Sequence, residues 1–530
     1  MNKKFLVIPF LTITILASCN GRKSVEKSTD LDYIMTVVRA NPEPVIGKEH
    51  PGSYDNDKGY ENGHVIKVDG VYHMLMTELF NAKFHGYGWE PERIGYWKSV
   101  DGDHWERVCT IVHGTAKTGQ PEDYLDPKNN TWSSSWYWNE EENRWNIFWR
   151  GNWVWRYRSE MEGPEGFAGP YSEASKLFPP VMDMKTQQWD NVPICSFGNI
   201  YIAEDGKYYS FLCGNYLQRP NDSQWVNTLG CADNIDGPWT RVYDPDADPT
   251  FVYSENPFVN IYDINGKKVY FCVYDDLSNQ HSLGYGYSFD GIKWTGKTLD
   301  LTGYTDWAEN YWLVSSTRTP CCLIREDDGT YTIIFTACGK NGYFNIARIN
   351  VAITEVKKPS DEHVVFPGDM KNWTVVNGDF EVQYGREYSS FDGGNSDYTA
   401  ASYTDATVEA SLRCVNADPN NITWNTTAKA GIYARKSTED KKSGYYAYLT
   451  ANETVQLYAG DQLLAEVKTG KRPAIFRKLK LSVKGDRIRV YYDGDTQPCI
   501  DVKNDACKGK GYAGIDVFQS HWHYDRIEIY

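Results

Sequence analysis

The chain repeats one pattern of apolar and polar positions five times. Each copy consists of an apolar run, a tight polar turn and a second run rich in aromatic residues. The turns begin at residues 69, 142, 205, 265 and 328, a spacing of 60 to 73 residues, and four of the five are Asp-Gly or Asn-Gly. Such dipeptides between apolar runs indicate β-hairpins, because a tight hairpin turn needs positive φ angles. A repeat of this length without helical segments predicts a five-bladed β-propeller over residues 36–356.

A different pattern follows the repeats. Residues 357–364 are polar and contain a proline, which predicts a linker. Beyond it, alternation of polar and apolar residues places Leu479, Leu481 and Val483 on one face of a strand. Alternation of this kind is typical of antiparallel strands with one buried face, so residues 365–530 are predicted to form a β-sandwich. The fold class predicted for the whole chain is therefore all-β.

The predicted sandwich resembles the concanavalin/laminin-G-like jelly-roll modules that accompany sugar-processing enzymes. The resemblance lies in residues 373–382 and in the ending from Gly511 onward, with its final Tyr524-Asp-Arg-Ile-Glu-Ile. It implies a module that either binds glycan or buttresses a catalytic domain. We favour the buttress, because no single aromatic platform stands out in this part of the sequence.

The first residues have the features of an export signal. Lys3 and Lys4 precede an apolar run over residues 5–17, which is too short to remain as a membrane-spanning helix. The following Leu-Ala-Ser-Cys19 resembles a lipobox, which implies lipidation of Cys19. We expect a signal peptide over residues 1–18 and a lipid anchor with a flexible tether over residues 19–35. The expected location is the bacterial outer membrane or cell surface, with a periplasm-facing position or an ordinary cleaved signal as alternatives.

Composition and charge limit the classes of partner that the chain can bind. The formal net charge of −16 argues against nucleic acid, whose phosphates require a basic surface. Aromatic residues make up 15% of the chain and serve either to stack on sugar rings or to fill β-sheet cores. Asp244, Asp246 and Asp248 have the spacing of a calcium loop, but Pro249 stands where such a loop needs glycine. We expect no cofactor, a glycan substrate, membrane contact through the lipid only, and a monomer.

Candidate catalytic residues open two of the repeats. The innermost strands of a propeller converge on a central funnel, so residues that begin these strands can form a site together. Glu61 opens the first copy and Glu255 opens the fourth, and glycoside hydrolysis requires two carboxyl groups. We expect Glu255 to face an apolar setting near Phe258, which would raise its pKa and suit it to donate a proton. The alternative is that Glu255 hydrogen-bonds a neighbouring blade.

Further residues near the same strand ends could bind a sugar. They are Asn62 and His64 in the first copy, Trp132 and Arg150 in the second, and Arg318 in the fifth. The two arginines are suited to bind an acidic sugar through paired hydrogen bonds, or else they form ion pairs with the two glutamates. The sequence leaves both possibilities open.

The repeats as a whole resemble the five-bladed propeller enzymes of glycoside hydrolase family 43 and its relatives in families 32 and 117. Glu255-Asn256-Pro257 is similar to the Glu-Gly-Pro that carries the catalytic acid in the fourth blade of family 43. The resemblance implies that Glu255 is the acid.

The other two catalytic positions of that family are not kept. The base, an aspartate of the first blade, falls on Asn62, beside Glu61, and a third carboxylate falls on Phe197. One interpretation is that these roles have moved to Glu61, as base or nucleophile, and to Asp190 in the loop before the third blade. The alternatives are a distant group with its own chemistry and a chain that has lost catalysis.

The predicted function is a glycoside hydrolase that acts on a plant or host polysaccharide or oligosaccharide. One alternative is a non-catalytic glycan-binding surface lipoprotein. A second is a polysaccharide lyase, in which an arginine neutralises a uronate and a residue such as His64 is the base. Hydrolysis adds water to its products, a lyase leaves an unsaturated product, and a binding protein leaves the glycan intact.

Overall fold

The structure of the protein is a computed structural model. It describes residues 30–54, 56, 58–79, 92–113, 132–150, 154–178, 196–219, 222–242, 250–277, 282–301, 317–338, 342–383, 387–415, 427–437, 443–471, 473 and 475–530. Over these residues the chain forms 36 β-strands and three short 3-10 helices, the latter at Pro51–Ser53, Gly166–Ala168 and Met370–Asn372. In the same ranges no helix has the length and apolarity needed to cross a membrane. The all-β prediction is confirmed.

Each of the first two blades consists of four antiparallel strands in which neighbouring strands are consecutive in sequence, and the sheet of blade 1 continues into that of blade 5 through one parallel pair, Gly59 with Phe344. Blade 1 contains β2 (Gly59–Val68), β3 (Val71–Leu79), β4 (Glu92–Ser99) and β5 (Glu106–His113). Blade 2 contains β6 (Trp132–Asn139), β7 (Arg144–Arg150), β8 (Val154–Ser159) and β9 (Tyr171–Phe178).

The third and fourth blades repeat this arrangement, although the inner and outer edges of blade 3 are each divided into two short strands. Blade 3 contains β10 (Ser196–Phe197), β11 (Tyr201–Ile202), β12 (Tyr208–Arg219), β13 (Asp222–Ala232), β14 (Thr240–Val242) and β15 (Phe251–Val252). Blade 4 contains β16 (Ser254–Ile264), β17 (Lys267–Asp276), β18 (Ser282–Ser288) and β19 (Thr295–Asp300).

The fifth blade combines both ends of the propeller sequence. It contains β20 (Thr317–Arg318), β21 (Ile324–Arg325), β22 (Tyr331–Cys338), β23 (Phe344–Lys357) and β1 (Leu31–Ala40), the first strand among the described residues. β1 pairs antiparallel with β23 along its length, so the chain closes the ring with its own N-terminal strand. Tyr33 and Met35 of β1 are buried in the core that blades 4 and 5 share. β1 begins five residues before the predicted start of the propeller. The sequence pattern placed the boundary later because β1 joins the propeller only through its pairing with a distant strand.

Two hairpin turns have the predicted geometry. Asp69–Gly70 and Asn265–Gly266 both have positive φ at each residue, with values of 49° and 82° in the first and 53° and 76° in the second. These are the angles that match the twist of the flanking strands in a two-residue hairpin. The turns therefore set the register of the two innermost strands in blades 1 and 4.

The C-terminal part of the chain is a 13-stranded antiparallel assembly folded into a sandwich. Its strands are β24 (Val364–Phe366), β25 (Trp373–Gln383), β26 (Glu387–Tyr403), β27 (Ala406–Val415), β28 (Lys429–Lys436), β29 (Tyr445–Thr450), β30 (Thr454–Ala459), β31 (Gln462–Lys468), β32 (Arg477–Lys484), β33 (Arg487–Tyr492), β34 (Ile500–Lys503), β35 (Gly511–Phe518) and β36 (His521–Ile529). Leu479, Leu481 and Val483 are fully buried in its core, as their alternation predicted. The core also buries Trp522 and Tyr524 of the last strand.

Candidate active site

Glu61 is positioned by a β-bulge near the start of the innermost strand of blade 1. Glu61 pairs with Thr77 and Gly63 with Met76, so Asn62 is the extra residue between two regular pairs. Asn62 adopts a φ of 56°, a left-handed conformation that asparagine tolerates better than most residues. Bulges re-aim the neighbouring side chains, and here Glu61 turns towards the axis of the ring. Asn62 itself is buried, at 7% exposure, which leaves it little contact surface for a sugar.

Glu255 occupies the equivalent position in blade 4. It pairs with Asp275, and the register then shifts before Phe258 pairs with Val273. Asn256 lies in this irregularity with a φ of 52°. Blades 1 and 4 thus use the same local device to present a glutamate at the beginning of the innermost strand.

Arg318 of blade 5 joins the two glutamates. Its Nη1 lies 2.8 Å from Oε1 of Glu61, and its Nη2 lies 2.9 Å from Oε2 of Glu255. Blade 5 separates blade 4 from blade 1 around the ring, so side chains from all three can meet only near the axis. The pairing of Arg318 with both glutamates decides between the two roles that the sequence left open for this arginine.

A third carboxylate, that of Asp275, completes the cluster and was missed by the sequence analysis. Its side chain is fully buried, and its Oδ2 lies 3.8 Å from Nε of Arg318. Oδ2 also accepts a hydrogen bond of 3.1 Å from the side-chain amide of Asn256, and Oδ1 accepts one from the backbone N–H of Thr319. Asp275 is the next-to-last residue of the second strand of its repeat, whereas the candidates predicted from the sequence open first strands. Two consecutive aspartates that end an apolar strand were the available signal.

Burial and mutual repulsion alter the protonation of the cluster. Burial raises the pKa of Glu61, Arg318 opposes this rise, and the charge of Glu255 adds to it. Burial also raises the pKa of Asp275 well above its ordinary value, in spite of Arg318. Burial alone would lower the pKa of Arg318, but the three carboxylates outweigh burial and raise it. The cluster therefore combines a permanent cation with two carboxyl groups, those of Glu61 and Asp275, that hold protons more tightly than free carboxyls do.

The prediction that Glu255 lies in an apolar setting is wrong. Its carboxylate faces the guanidinium of Arg318 and not an apolar setting, because the innermost strand of blade 5 brings that arginine within hydrogen-bond distance. Phe258 instead packs near the ring of His64. The alternative, that Glu255 hydrogen-bonds a neighbouring blade, describes the observed contact.

His64 is a packing residue between blades, which corrects the expectation that it contacts substrate or serves as a base. It is 5% exposed, its Nδ1 accepts a 2.9 Å hydrogen bond from the backbone N–H of Trp136 in blade 2, and its ring lies 5.0 Å from that of Phe258 in blade 4. Burial lowers the pKa of His64 to about 3, so the ring is neutral at physiological pH.

The remaining predicted site residues are only partly described. Trp132 and Arg150 pair through their backbones at the start of blade 2, and their side chains lie outside the described residues. Asp190, the calcium-like segment 243–249 and Cys19 also lie outside them. Phe197, the position of the third family carboxylate, is buried in an apolar cluster with Phe148 and Trp239.

Comparison with known proteins gives similarity to solved structures only. No family model matches the chain, and no curated protein matches it. An exo-inulinase from Aspergillus awamori is 12% identical, with 92% of this chain and 98% of that chain covered and a TM-score of 0.37. The GH43 protein BlXynB from Bacillus licheniformis is 12% identical, with coverages of 94% and 99% and a TM-score of 0.31.

A third similar structure covers a smaller part of the chain. It is the carbohydrate binding module CBM66 from Bacillus subtilis, which is 24% identical over 30% of this chain and 94% of its own, with a TM-score of 0.26. Identities and TM-scores are low in all three comparisons. The assignment of the fold and the chemistry proposed for the chain are therefore based on its own sheets and side chains.

Proposed function

We propose that the chain is a glycoside hydrolase whose reaction takes place at the cluster of Glu61, Glu255 and Arg318. The observation that carries the proposal is that both glutamates bind neighbouring nitrogens of one guanidinium near the propeller axis. Two carboxyl groups held a short distance apart are the requirement for glycoside hydrolysis, one as proton donor and one as base or nucleophile.

The raised pKa of Glu61 favours this residue as the proton donor. Burial and the neighbouring charge of Glu255 both favour the protonated form of Glu61. Glu255, which Arg318 holds in an ion pair, is then the base or nucleophile. This assignment reverses the roles predicted from the sequence, which depended on an apolar setting for Glu255.

The charge balance of the cluster favours a neutral sugar as substrate. Arg318 already contacts the carboxyl groups of Glu61, Glu255 and Asp275, so its positive charge is not available to an anionic ligand. A lyase would need an arginine to neutralise a uronate and a base such as His64. Arg318 is already engaged by three protein carboxylates, and His64 is buried between blades, so these two residues favour hydrolysis.

The N-terminal sequence favours action on glycans at a membrane surface. We propose that Cys19 is lipidated and that the remainder of the chain works as a monomer outside the membrane. Incorporation of a labelled fatty acid into the full-length chain, and its loss in Cys19→Ala, tests the anchor.

Incubation with a set of polysaccharides tests the activity. Neutral and uronate-containing polysaccharides are supplied separately to the full chain, and products are analysed by mass. We expect water-added fragments from a neutral glycan, their loss in Glu61→Gln and Glu255→Gln, and their persistence in Glu204→Gln, which alters an exposed propeller glutamate paired with Lys268. Fragments that are one water lighter than the products of hydrolysis would show that the chain is a lyase. A glycan that binds to the chain and stays intact would indicate a binding protein.

A further inference from the structure

Two consecutive aspartates of blade 4 point to opposite sides of one strand. Successive side chains of a β-strand alternate between its faces. Asp275 faces Arg318 in the candidate active site, whereas Asp276 faces the sandwich, where its Oδ1 lies 3.8 Å from Nη1 of Arg413. The last pairs of the β16–β17 hairpin are Glu255 with Asp275 and Ser254 with Asp276. The contact with the sandwich is therefore one residue away from two members of the cluster.

Arg413 is a buried charge that bridges the propeller and the sandwich. It belongs to β27 of the sandwich and is 4% exposed. Its Nη2 donates a 3.2 Å hydrogen bond to Oε1 of Glu387, and its guanidinium lies 4.6 Å from the ring centre of Phe476, both within the sandwich. On the propeller side it lies 5.4 Å from the ring centre of Tyr253, beside Asp276. The acidic groups that surround Arg413 are Glu387, Asp276, Tyr253 and Asp525.

Asp276 also forms hydrogen bonds with residues of neighbouring strands. Its Oδ2 accepts hydrogen bonds from the hydroxyls of Ser282, at 3.0 Å, and Thr298, at 3.2 Å. The backbone carbonyl of Ser282 in turn accepts a 2.7 Å hydrogen bond from the hydroxyl of Thr317, the residue before Arg318. One carboxylate thus connects the sandwich to the immediate neighbours of Asp275, Glu255 and Arg318.

We infer that Arg413 is a positioning residue for the reaction in the propeller, so that the sandwich is required to hold Glu255, Asp275 and Arg318 in place. The inference rests on the proposed function for its catalytic consequence. Glu255 and Asp275 lie next to the irregular backbone at Asn256, where regular pairing is interrupted, so the short strand end needs support from outside the blade. Misplacement of a reacting group by about 1 Å can lower a rate by about 100-fold. Arg413 is thus the residue through which the sandwich would buttress the propeller.

A second arginine of the sandwich supplies a matched control. Nη1 of Arg477 lies 2.8 Å from Oδ2 of Asp300 in the same blade. Asp300 ends β19, the strand of blade 4 farthest from the axis, and pairs through its backbone with Ser282, so this ion pair joins the same two domains through a different aspartate. Arg413→Met and Arg477→Met each remove a buried cross-domain arginine, and only the first removes the contact with Asp276.

Steady-state kinetics on the glycan identified as substrate test the catalytic role. We expect Arg413→Met to lower kcat at least 10-fold, to leave KM within twofold and to shift the pH dependence of kcat. Arg413→Lys should recover part of kcat, because it restores the charge next to Asp276. Arg477→Met should leave kcat and the pH profile unchanged. Equal effects of Arg413→Met and Arg477→Met on kcat would overturn the proposal.

Hydrogen exchange of the full chain tests the positioning without reference to activity. We expect Arg413→Met to accelerate amide exchange at least 10-fold in residues 254–258 and 273–277, and Arg477→Met to leave both segments unchanged. Unchanged exchange in Arg413→Met would overturn the proposal even if the enzyme is active. Should no glycan be hydrolysed by the wild type, the proposed function fails, while faster exchange in Arg413→Met alone would still support Arg413 as the support of this strand end.

Discussion

Asn62 and Asn256 share a left-handed backbone conformation at equivalent points of blades 1 and 4, with φ angles of 56° and 52°. Each directly follows a glutamate of the candidate active site and lies in a β-bulge. The two glutamates reach Arg318 from blades that are not neighbours in the ring. The local backbone of two separate hairpins, and not the repeat alone, therefore creates the site.

The bulge in blade 1 can be tested by replacing Asn62 with glycine and with alanine. Both variants remove the asparagine side chain, and only alanine retains a Cβ that opposes a positive φ. We expect Asn62→Gly to be more stable than Asn62→Ala by about 1 kcal/mol, measured by urea unfolding. Asn62→Ala should also lose more activity, because relaxation of the bulge would turn Glu61 away from Arg318. Equal stability of the two variants would contradict a role for the left-handed backbone.

The proposed roles of Glu61 and Glu255 predict different responses to the leaving group of the substrate. Loss of a proton donor matters little when the leaving group is already a weak base, whereas loss of the base or nucleophile affects every substrate. We expect Glu61→Gln to lose about 100- to 10,000-fold in kcat on the natural glycan and to recover most of it on a dinitrophenyl glycoside of the same sugar. Glu255→Gln should remain inactive on both substrates.

A control variant, and the question of which variant recovers on the dinitrophenyl substrate, distinguish this expectation from its alternatives. Glu204→Gln, which alters an exposed glutamate of blade 3, should behave as the wild type on both substrates. If Glu255→Gln, and not Glu61→Gln, recovers with the dinitrophenyl substrate, then the two roles are exchanged. Recovery in neither variant would argue that the glutamates only bind the sugar.

The raised pKa of Asp275 predicts how stability changes with pH. Above the ordinary pKa of an aspartate, the unfolded chain has released a proton that the folded state still holds at Asp275. The folded state thus binds more protons, and its stability falls as the pH rises towards the folded pKa of this group. We expect the unfolding free energy of Asp275→Asn, relative to wild type, to increase with pH above about 4, by at most about 1.4 kcal/mol per pH unit.

A surface aspartate provides the comparison for this linkage. Asp495→Asn removes an exposed carboxyl group of the sandwich and serves as the control for the loss of one aspartate. If the curve of unfolding free energy against pH for Asp275→Asn runs parallel to that of wild type, then Asp275 titrates in the folded chain as it does in the unfolded chain. Urea unfolding between pH 4 and pH 8, followed by tryptophan fluorescence, measures all three proteins.

The fold was predictable from the sequence because its signals are local. Alternating strands and Asp-Gly or Asn-Gly turns identify each hairpin without knowledge of its neighbours, and Glu61, Glu255 and Arg318 were found because they lie at the openings of hairpins. The pairing of Leu31 with Lys357 joins opposite ends of the propeller sequence, so no local pattern marks β1 as part of blade 5.

The missed features of the site have a similar cause. Asp275 lies near the end of a strand whose residues are almost all buried on both faces, so no alternation distinguishes its carboxylate from its neighbours. The environment of Glu255 depends on Arg318, which lies 63 residues further along the chain and reaches it only after the ring has closed. A prediction of the surroundings of Glu255 from Phe258 alone considered the nearest residue in sequence and not the nearest charge in space.

His64 predicts a specific loss of stability in mild acid. Because burial lowers its pKa to about 3 in the folded state, the unfolded chain takes up a proton below about pH 6.5 that folded His64 does not. The stability that His64 contributes is therefore present above pH 6.5 and is lost as the pH falls towards 3. In His64→Asn the amide oxygen can accept the backbone N–H of Trp136 without titrating. Between pH 6.5 and pH 5 we expect wild type to lose about 2 kcal/mol more than this variant, measured by urea unfolding. His363→Asn removes an exposed histidine and serves as the control; if His64→Asn follows the wild-type curve, then His64 is not kept neutral by burial between the blades.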